Sequence, residues 1–317
     1  MRVVITGGAG FLGARLAVRL LDVGVLDGHG IEEIVLFDQV AADVPDDPRI
    51  RLHVGDIADV GAVISPATSS VFHLAAVVSG QAEAEFDLGM RINLDGSRAV
   101  LEACRAAGHR PRVVFTSSVA VYGGDLPDVV LDSTAPAPQT SYGVQKACAE
   151  LLLQDYTRRG FVDGRVLRLP TVSVRAGAPN RAASSFASGV IREPLAGVEC
   201  ACPVSPDTRL WLLSPERAVD CLVAGHELRS ADLGAARCVN LPGLSVTVGE
   251  MVAALGRVAG PEVAALVRYE PDAEIQRIAS GWPGEWDTSR ATALSLRGDP
   301  DIDAIIRAHM RVGRHAP

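Results

Sequence analysis

The first half of the chain alternates between short β-rich runs and helix-like stretches. The runs cover residues 2–6, 33–37, 51–54, 71–74, 112–116 and 165–169, and the longest stretches between them cover 11–23, 85–107 and 141–159. The runs are almost continuously apolar, as expected for strands that are buried on both faces of a sheet. Alternating strands and helices are typical of right-handed crossovers that place helices on both sides of a parallel sheet. The sequence therefore predicts an α/β fold with a doubly wound parallel sheet.

The pattern changes after about residue 170. Residues 173–186 and 193–208 are rich in small, proline and turn residues and have no clear period. Helical patterns return at 214–228 and 247–260. This change indicates a second, more irregular part of the molecule.

We therefore predict two domains in this chain of 317 residues, which is long enough for two unequal lobes. The first, residues 1–172, carries the sheet, and a segment near 208–228 is expected to pack back onto it. The second, residues 173–317, is expected to be a smaller, irregular lobe that binds the substrate. A cleft between the two is the expected ligand site.

Composition and charge argue against several classes of partner. The chain is 48% hydrophobic and 21% charged, as a globular protein is. Its formal net charge of −8 argues against nucleic acid or an anionic membrane as a partner. No apolar run approaches the roughly 18 residues of a membrane span, and the strand-like residues 2–6 directly after Met1 leave no room for a signal peptide. We expect a cytoplasmic protein that acts on a small molecule.

Three glycines follow the first strand and open the first helix. Gly7 permits a tight turn, Gly10 lets the backbone approach a pyrophosphate, and Gly13 lets the helix pack closely on the strand. The N-terminus of the helix adds N–H donors and a positive dipole. This arrangement predicts a dinucleotide site on a Rossmann-type sheet.

The strand that follows ends in Asp38, which stands 25 residues after Gly13. A carboxylate at this point accepts hydrogen bonds from the adenosine ribose hydroxyls and repels a 2′-phosphate. Gln39 comes next, and no basic residue occurs before Arg49. The sequence therefore predicts NAD as the cofactor in preference to NADP.

With these residues in place, the chain resembles the extended short-chain dehydrogenase/reductases, a group that includes NAD-dependent epimerases and dehydratases. The matching motifs are TGGAGFLG (6–13), GDIAD (55–59), HLAA (73–76), FTSSVAVYGG (115–124), Tyr142-x-x-x-Lys146 and RLPTVSV (168–174). They cover roughly the first 180 residues in the family's order. Within the family, residues 73–96, 164–180 and 209–219 are similar to dehydrogenases of short sugar acids.

The resemblance implies which residues surround the cofactor. For Asn93 two roles stay open, because it is expected either to position Lys146 or the cofactor ribose, or to lie on a helix surface. The implied cofactor residues are Gly7, Gly10, Phe11, Leu12, Gly13, Asp38, Gln39, Asp56, Ile57, Leu74, Ala75, Ala76, Asn93, Tyr142, Lys146, Pro170 and Val172.

The resemblance also implies the catalytic roles. Oxidation of an alcohol requires a base for the hydroxyl proton while a hydride leaves for NAD⁺. Tyr142 is the expected base, and Lys146 is expected to favour its phenolate and to anchor the ribose. Ser118 is expected to hold the substrate oxygen. The tyrosine and lysine alone would be weak evidence, since a solvated helix face has the same spacing.

The same helix has an apolar stripe opposite Tyr142 and Lys146. The family resemblance implies a homodimer formed through helices 85–107 and 141–159, and this stripe is equally consistent with a dimer face or with a core. Its residues are Val144, Ala147, Cys148, Leu151 and Leu152.

The substrate residues are predicted less directly. A sugar acid requires a partner for its carboxylate, for which an arginine fork is the usual choice. The candidates are Arg175, Arg181 and Arg209, in or beside the irregular lobe. Ser79 and Gln81 are candidates for binding the substrate hydroxyls.

Two other functions stay open. The first is a nucleotide-sugar 4-epimerase that keeps its NAD bound. Related dehydratases carry an acidic pair after the threonine at the end of the fifth strand, whereas this chain has Thr116, Ser117 and Ser118. The second is a regulatory protein that senses dinucleotides without catalysis. Such relatives typically lose the tyrosine or the lysine, and both are present here.

Overall fold

The computed structural model describes residues 1–177 and 182–313. Its strands are β1 (Arg2–Thr6), β2 (Val25–Leu26), β3 (His29–Gly30), β4 (Glu33–Asp38), β5 (Ile50–Val54), β6 (Thr68–His73), β7 (Arg112–Ser118), β8 (Asp163–Leu169), β9 (Thr171–Val172), β10 (Cys200–Cys202), β11 (Arg209–Leu213), β12 (Cys238–Asn240), β13 (Leu244–Thr247) and β14 (Val267–Tyr269). Its α-helices are α1 (Phe11–Val23), α2 (Ser79–Ala84), α3 (Phe86–Gly89), α4 (Gly96–Ala107), α5 (Ser141–Arg158), α6 (Phe186–Leu195), α7 (Pro215–Glu227), α8 (Ser230–Leu233), α9 (Val248–Ala259), α10 (Pro261–Ala264), α11 (Ala273–Ser280), α12 (Ser289–Ala293) and α13 (Ile302–Gly313).

Seven strands form one parallel sheet in the order β12-β8-β7-β6-β1-β4-β5. The strand order reverses between β1 and β6, which is the switch point where such sheets bind ligands outside the carboxyl ends of their strands. The predicted α/β fold with a doubly wound parallel sheet is confirmed. The sequence analysis missed β12, a three-residue strand from the second half of the chain that pairs with Val166–Arg168.

Helices cover both faces of the sheet because successive strand residues point to opposite sides. On one face, Ile5 and Leu36 pack against Leu16 and Leu20 of α1 and Leu222 of α7. On the other, the packed residues come from the strands and from α4 and α5, namely Val4, Val35, Val71, Val113, Val100, Leu101 and Leu153. Helix α7 thus packs on the sheet beside α1.

The predicted helix over 85–107 is divided into α3, a π-helix (Met90–Asp95) and α4. Close packing explains why glycines mark the joins. A Cβ at Gly89 would lie 2.6 Å from Gln145 Nε2, and one at Gly96 would lie 2.8 Å from Ile57 Cγ2. The π-helix between them carries the buried Asn93.

The second half of the chain builds smaller sheets around its own core. β11 pairs with β13 in antiparallel and with β9 in parallel fashion, and β10 pairs with β14. The core between them and α6, α9 and α13 includes Ile191, Leu210, Met251, Leu255 and Ile305. The boundary near residue 172 stays a prediction. Within the described ranges, no helix is both long and apolar enough to cross a membrane.

Candidate active site

Helix α5 packs directly on the chain that follows β7. A Cβ at Gly143 would lie 2.2 Å from the Ala120 carbonyl oxygen, so this approach requires glycine. β7 ends at Ser118, and Tyr142 lies in the first turn of α5. The close packing brings the Ser118 hydroxyl near enough to Tyr142 to act on the phenol, whose pKa it lowers.

Lys146 is buried one turn after the tyrosine and is only 1% exposed. Its Nζ donates to the Thr116 carbonyl oxygen at 2.9 Å and lies 4.7 Å from the centre of the Phe115 ring and 5.7 Å from that of Tyr142. Burial lowers the pKa of Lys146 to about 7, although the carboxylate of Glu150 acts in the opposite direction. The ammonium group is therefore only partly retained at neutral pH.

The protein alone does not make Tyr142 an effective base. Burial raises its pKa to about 12, against the effect of the Ser118 hydroxyl, which lowers it. The expected effect of the Lys146 ammonium on the phenolate stays a prediction. A positive charge beside the ring would also favour the phenolate, and the nicotinamide of NAD⁺ carries such a charge. The surroundings of Tyr142 thus suit a base that acts when the oxidised cofactor is bound.

The three hydroxyl side chains at the end of β7 have different surroundings. Thr116 donates to the His73 carbonyl oxygen at 3.2 Å, and Ser117 donates to the buried Glu150 carboxylate at 2.5 Å. Ser118 is the one that reaches the tyrosine. The structure therefore brings together the three residues predicted to be catalytic and assigns the two preceding hydroxyls to the interior.

The apolar stripe of α5 is divided between surface and core, since Leu152 and Ala147 are partly buried against core clusters whereas two other members are exposed. Val144 is 45% exposed and Leu151 is 65% exposed. The inward face carries polar side chains instead, which are buried against the sheet and the π-helix, namely Gln145, Lys146, Glu150 and Thr157. Sequence periodicity did not identify this arrangement, because the partners of the buried polar groups come from distant strands and from the π-helix.

The loop between β1 and α1 fits a dinucleotide diphosphate. Gly7 has a φ of +72°, and a Cβ there would lie 2.7 Å from the Ala75 nitrogen. A Cβ at Gly13 would lie 2.1 Å from the Gly7 carbonyl oxygen. Gly10 is exposed, so the backbone of the loop is open to a ligand above the helix N-terminus. Phe11 and Leu12 follow in the first turn of α1 and are partly buried.

Asp38 lies at the end of β4, beside this loop. Its Oδ2 accepts a hydrogen bond from the Ala9 N–H at 3.0 Å, and its Oδ1 accepts one from the Gln39 N–H at 2.7 Å. The carboxylate thereby ties the glycine loop to the end of the strand. Each carboxylate oxygen has a second lone pair, which suits ribose hydroxyl donors.

Asp56 and Ile57 follow β5 at the same edge of the sheet. Asp56 accepts from the Ala58 N–H at 3.0 Å and from Arg91 Nη1 at 2.6 Å, and these bonds lower the pKa of its carboxyl. Ile57 is buried against Gly96. Their contact with the adenine stays a prediction.

Asn93 is buried, which decides against the helix-surface alternative. Its Oδ1 accepts from the Val77 N–H at 2.9 Å, and its Nδ2 donates to Gln145 Oε1 at 2.8 Å. These bonds connect α5 to the chain after β6, where Leu74, Ala75 and Ala76 lie. Asn93 therefore positions this segment through Val77, and a direct contact with the ribose stays a prediction.

Pro170 and Val172 connect the main sheet to the second half of the chain. Pro170 directly follows β8 and is buried, and Val172 pairs with Leu213 of β11. The segment thus leaves the carboxyl edge of the sheet, where the cofactor residues lie. Its contact with the nicotinamide stays a prediction.

The predicted substrate residues are spread over two regions. Ser79 begins α2, and Gln81 donates to Glu85 at 3.3 Å on its own helix. Arg209 is exposed, donates to the Ser245 hydroxyl at 3.3 Å and lines an open cleft of about 350 Å³ in the second half of the chain.

Of the other two candidate arginines, one lies near the glycine loop. The Arg175 guanidinium carbon lies 5.2 Å from the centre of the Phe11 ring, at the N-terminus of α1. Arg181 lies outside the described residues. Arg175 thus lies beside the glycine loop.

The profile of the NAD dependent epimerase/dehydratase family matches residues 3–208. The chain belongs to this family. The match spans the glycine loop, Asp38 and the three residues at the junction of β7 and α5, so the predicted family is confirmed.

Relatives within the family resemble the whole chain. A D-erythronate dehydrogenase of Cupriavidus necator is 60% identical over 317 residues, which cover 98% of each chain. A D-erythronate dehydrogenase of Haemophilus influenzae is 43% identical, covering 97% of this chain and 98% of its own. The solved structure of a nucleoside-diphosphate-sugar epimerase from Agrobacterium tumefaciens is 42% identical, has a TM-score of 0.94, and covers 98% of this chain and 94% of its own.

Proposed function

We propose that the protein is an NAD-dependent dehydrogenase that oxidises the C2 hydroxyl of a short sugar acid, D-erythronate, to the 2-oxo acid. The observation that carries the proposal is the position of Tyr142 beside Ser118, with Lys146 buried next to them and its Nζ 5.7 Å from the centre of the Tyr142 ring. The two relatives named D-erythronate dehydrogenase, which match nearly the full chain, support this substrate.

In the proposed reaction, NAD⁺ accepts the hydride from C2 when it is bound. Ser118 holds the substrate hydroxyl, and the Tyr142 phenolate oxygen takes the hydroxyl proton as the C–H electron pair leaves. Lys146 in its ammonium form favours the phenolate, and its bond to the Thr116 carbonyl oxygen fixes the position of Nζ. The products are the 2-oxo acid, NADH and one proton carried first by Tyr142.

NAD is the proposed cofactor in preference to NADP. Asp38 is held at the end of β4 by the Ala9 and Gln39 N–H groups. A fixed carboxylate at this position binds the ribose hydroxyls and repels a 2′-phosphate.

For the substrate we propose Arg209 as the partner of the carboxylate, since it is exposed and lines the cleft of the second lobe. Ser79 and Gln81 are the proposed partners of the hydroxyls, because they lie in the first turn of α2, the helix that follows the carboxyl end of β6. We also propose that the protein acts in the cytoplasm as a homodimer.

The test is to mix the purified protein with NAD⁺ and D-erythronate and to follow the absorbance of NADH. L-threonate, D-threonate and a nucleotide-sugar serve as comparators, and a Tyr142→Phe variant serves as the control. NADH formation with D-erythronate that is lost in the variant supports both the substrate and the role of the tyrosine.

A second candidate is a nucleotide-sugar 4-epimerase with retained NAD, which the name of the similar Agrobacterium structure favours. An epimerase interconverts the nucleotide-sugar without net formation of NADH. That result, with no reduction of NAD⁺ by any acid, would replace the dehydrogenase proposal.

A further inference from the structure

Two arginine side chains contact one aromatic ring at the start of α1. The Arg15 guanidinium carbon lies 4.0 Å from the centre of the Phe11 ring, and that of Arg175 lies 5.2 Å from the same centre. Phe11 is the first residue of the helix that the glycine loop opens. Two positive charges therefore adjoin the end of the helix whose N–H groups and dipole already favour an anion.

Helix α6 holds the backbone of Arg175 in place. The Arg175 N–H donates to the Ser188 hydroxyl at 3.0 Å, and Arg192 Nη1 donates to the Arg175 carbonyl oxygen at 2.9 Å. Ser188 is buried. Arg175 is thus presented to the glycine loop by a helix that belongs to the second half of the chain.

The arginines in this region differ in whether a carboxylate lies beside them. Arg192 has its own partner, since its Nη2 lies 2.5 Å from Glu193 Oε1. Within residues 1–177 and 182–313, Arg175 forms no ion pair with a carboxylate. Burial and the positive charge of Arg192 lower the pKa of Arg175. Burial and the positive charge of Arg175 lower the pKa of Arg15, whereas the carboxylate of Glu216 raises it. An anion between the two guanidinium groups would relieve this repulsion.

We propose that Arg175 binds the diphosphate bridge of the dinucleotide, with Arg15 adding to the positive field, and that it is not the partner of the substrate carboxylate. The guanidinium fork can donate two parallel hydrogen bonds to a phosphate, and it lies against the Phe11 ring at the N-terminus of α1. The inference rests on the NAD-binding part of the proposed function. It adds a residue from beyond β8 to a site otherwise built by β1, β4 and α1.

The test measures ligand binding in the absence of any sugar acid. Dissociation constants for NAD⁺ and for ADP-ribose are determined by isothermal titration calorimetry for the wild type, Arg175→Gln, Arg15→Gln and Arg19→Gln. Arg19 is the matched control, because it lies on the same helix one turn after Arg15 and pairs with Asp220 at 3.1 Å. Thermal unfolding of each variant verifies the fold, and Arg175→Lys is used if Arg175→Gln is not folded.

Arg175→Gln is expected to raise both dissociation constants about tenfold, equivalent to about 1.4 kcal/mol at 25 °C, and to weaken their dependence on salt. Arg19→Gln is expected to leave both unchanged. Unchanged binding of both ligands to Arg175→Gln would overturn the proposal. If the variant instead has a raised KM for D-erythronate at saturating NAD⁺, Arg175 belongs to the substrate site. If the wild type binds NAD⁺ but oxidises no sugar acid, the proposed function is contradicted. The dissociation constants of the variants would still test the role of Arg175.

Discussion

Arg168 and Glu150 form a two-bonded ion pair inside the protein. Arg168 Nε donates to Glu150 Oε1 at 2.9 Å, and Arg168 Nη2 donates to Oε2 at 2.5 Å. The side chains are 5% and 2% exposed, respectively. Glu150 lies one helical turn after Lys146 and also accepts from Ser117. The pair thus joins α5 to β8, and the bond from Ser117 joins it to β7, one helical turn from Lys146.

Removal of this carboxylate should destabilise the fold. In Glu150→Ala, Arg168 would keep a buried charge without its partner, so we expect the free energy of unfolding to fall by about 3–5 kcal/mol. Urea denaturation measures the change. The exposed pair of Asp155 and Arg158 is the control on the same helix, where Asp155→Ala should cost less than about 1 kcal/mol. An equally small cost for Glu150→Ala would contradict the structural role of the pair.

Lys146→Met should separate stability from activity. The folded protein lowers the pKa of Lys146 to about 7, below its usual value of 10.5. The neutral amine therefore contributes to stability above about pH 10.5. This contribution is lost as the pH falls towards 7, because the unfolded chain binds the proton first. At pH 7 the methionine variant should therefore be more stable, by about 4 kcal/mol, while its dehydrogenase activity is lost. Urea denaturation at pH 7 and pH 9 measures both the gain and its decrease with pH. A variant that is less stable at pH 7 would contradict this account of the buried ammonium.

Two buried histidines should make the fold sensitive to mild acid. Burial lowers the pKa of His73 and of His226 to about 3. As the pH falls, the unfolded chain protonates both histidines before the folded protein does. The stabilising contribution of each neutral histidine is therefore complete above about pH 6.5 and is lost as the pH falls towards 3. At pH 5 each histidine should have lost about 2 kcal/mol of stabilisation. Urea denaturation between pH 6.5 and 5 should show that the free energy of unfolding falls with decreasing pH. The slope of this dependence should be about half as large in His226→Gln as in the wild type. A slope that does not change in the variant would assign the acid sensitivity to other groups.

The exposed part of the α5 stripe should form the dimer face. Leu151 is 65% exposed and Val144 is 45% exposed, and apolar side chains on one helix face are typical of a protein interface. We expect Leu151→Glu to convert the dimer to a monomer, as measured by sedimentation velocity. Leu131→Glu is the matched control, because Leu131 is 41% exposed and lies outside the helices. A wild type that sediments as a monomer would contradict the homodimer itself.

Asp38→Ala should weaken NAD⁺ binding about tenfold, because the ribose hydroxyls lose a charged acceptor and the Ala9 N–H loses its partner. Binding of NADP⁺ should weaken less, since the repulsion of the 2′-phosphate is removed at the same time. Calorimetric titration with both dinucleotides measures the two effects. Unchanged affinity for NAD⁺ would refute the role of Asp38.

Local sequence determined the parts of the fold that depend on local physics. The run Arg2–Thr6, the three glycines and the periodic helix over residues 11–23 predict a strand, a tight turn and a helix in that order, and the structure has them at the same residues. The Tyr-x-x-x-Lys spacing likewise places both side chains on one side of α5, because four residues complete about one turn. These features need no information about distant parts of the chain.

Tertiary structure alone decided which surfaces meet. Helix α5 buries Glu150 and exposes Leu151, because Arg168 and Ser117 on neighbouring strands supply the hydrogen bonds that make burial of the carboxylate possible. Strand β12 joins the seven-stranded sheet from outside residues 1–172, and its three residues are too few for a sequence pattern to identify it. Arg175 stacks on Phe11 although 164 positions separate them in the sequence, since α6 holds its backbone there. Such contacts depend on long-range packing, which the spacing of residues along the chain does not encode.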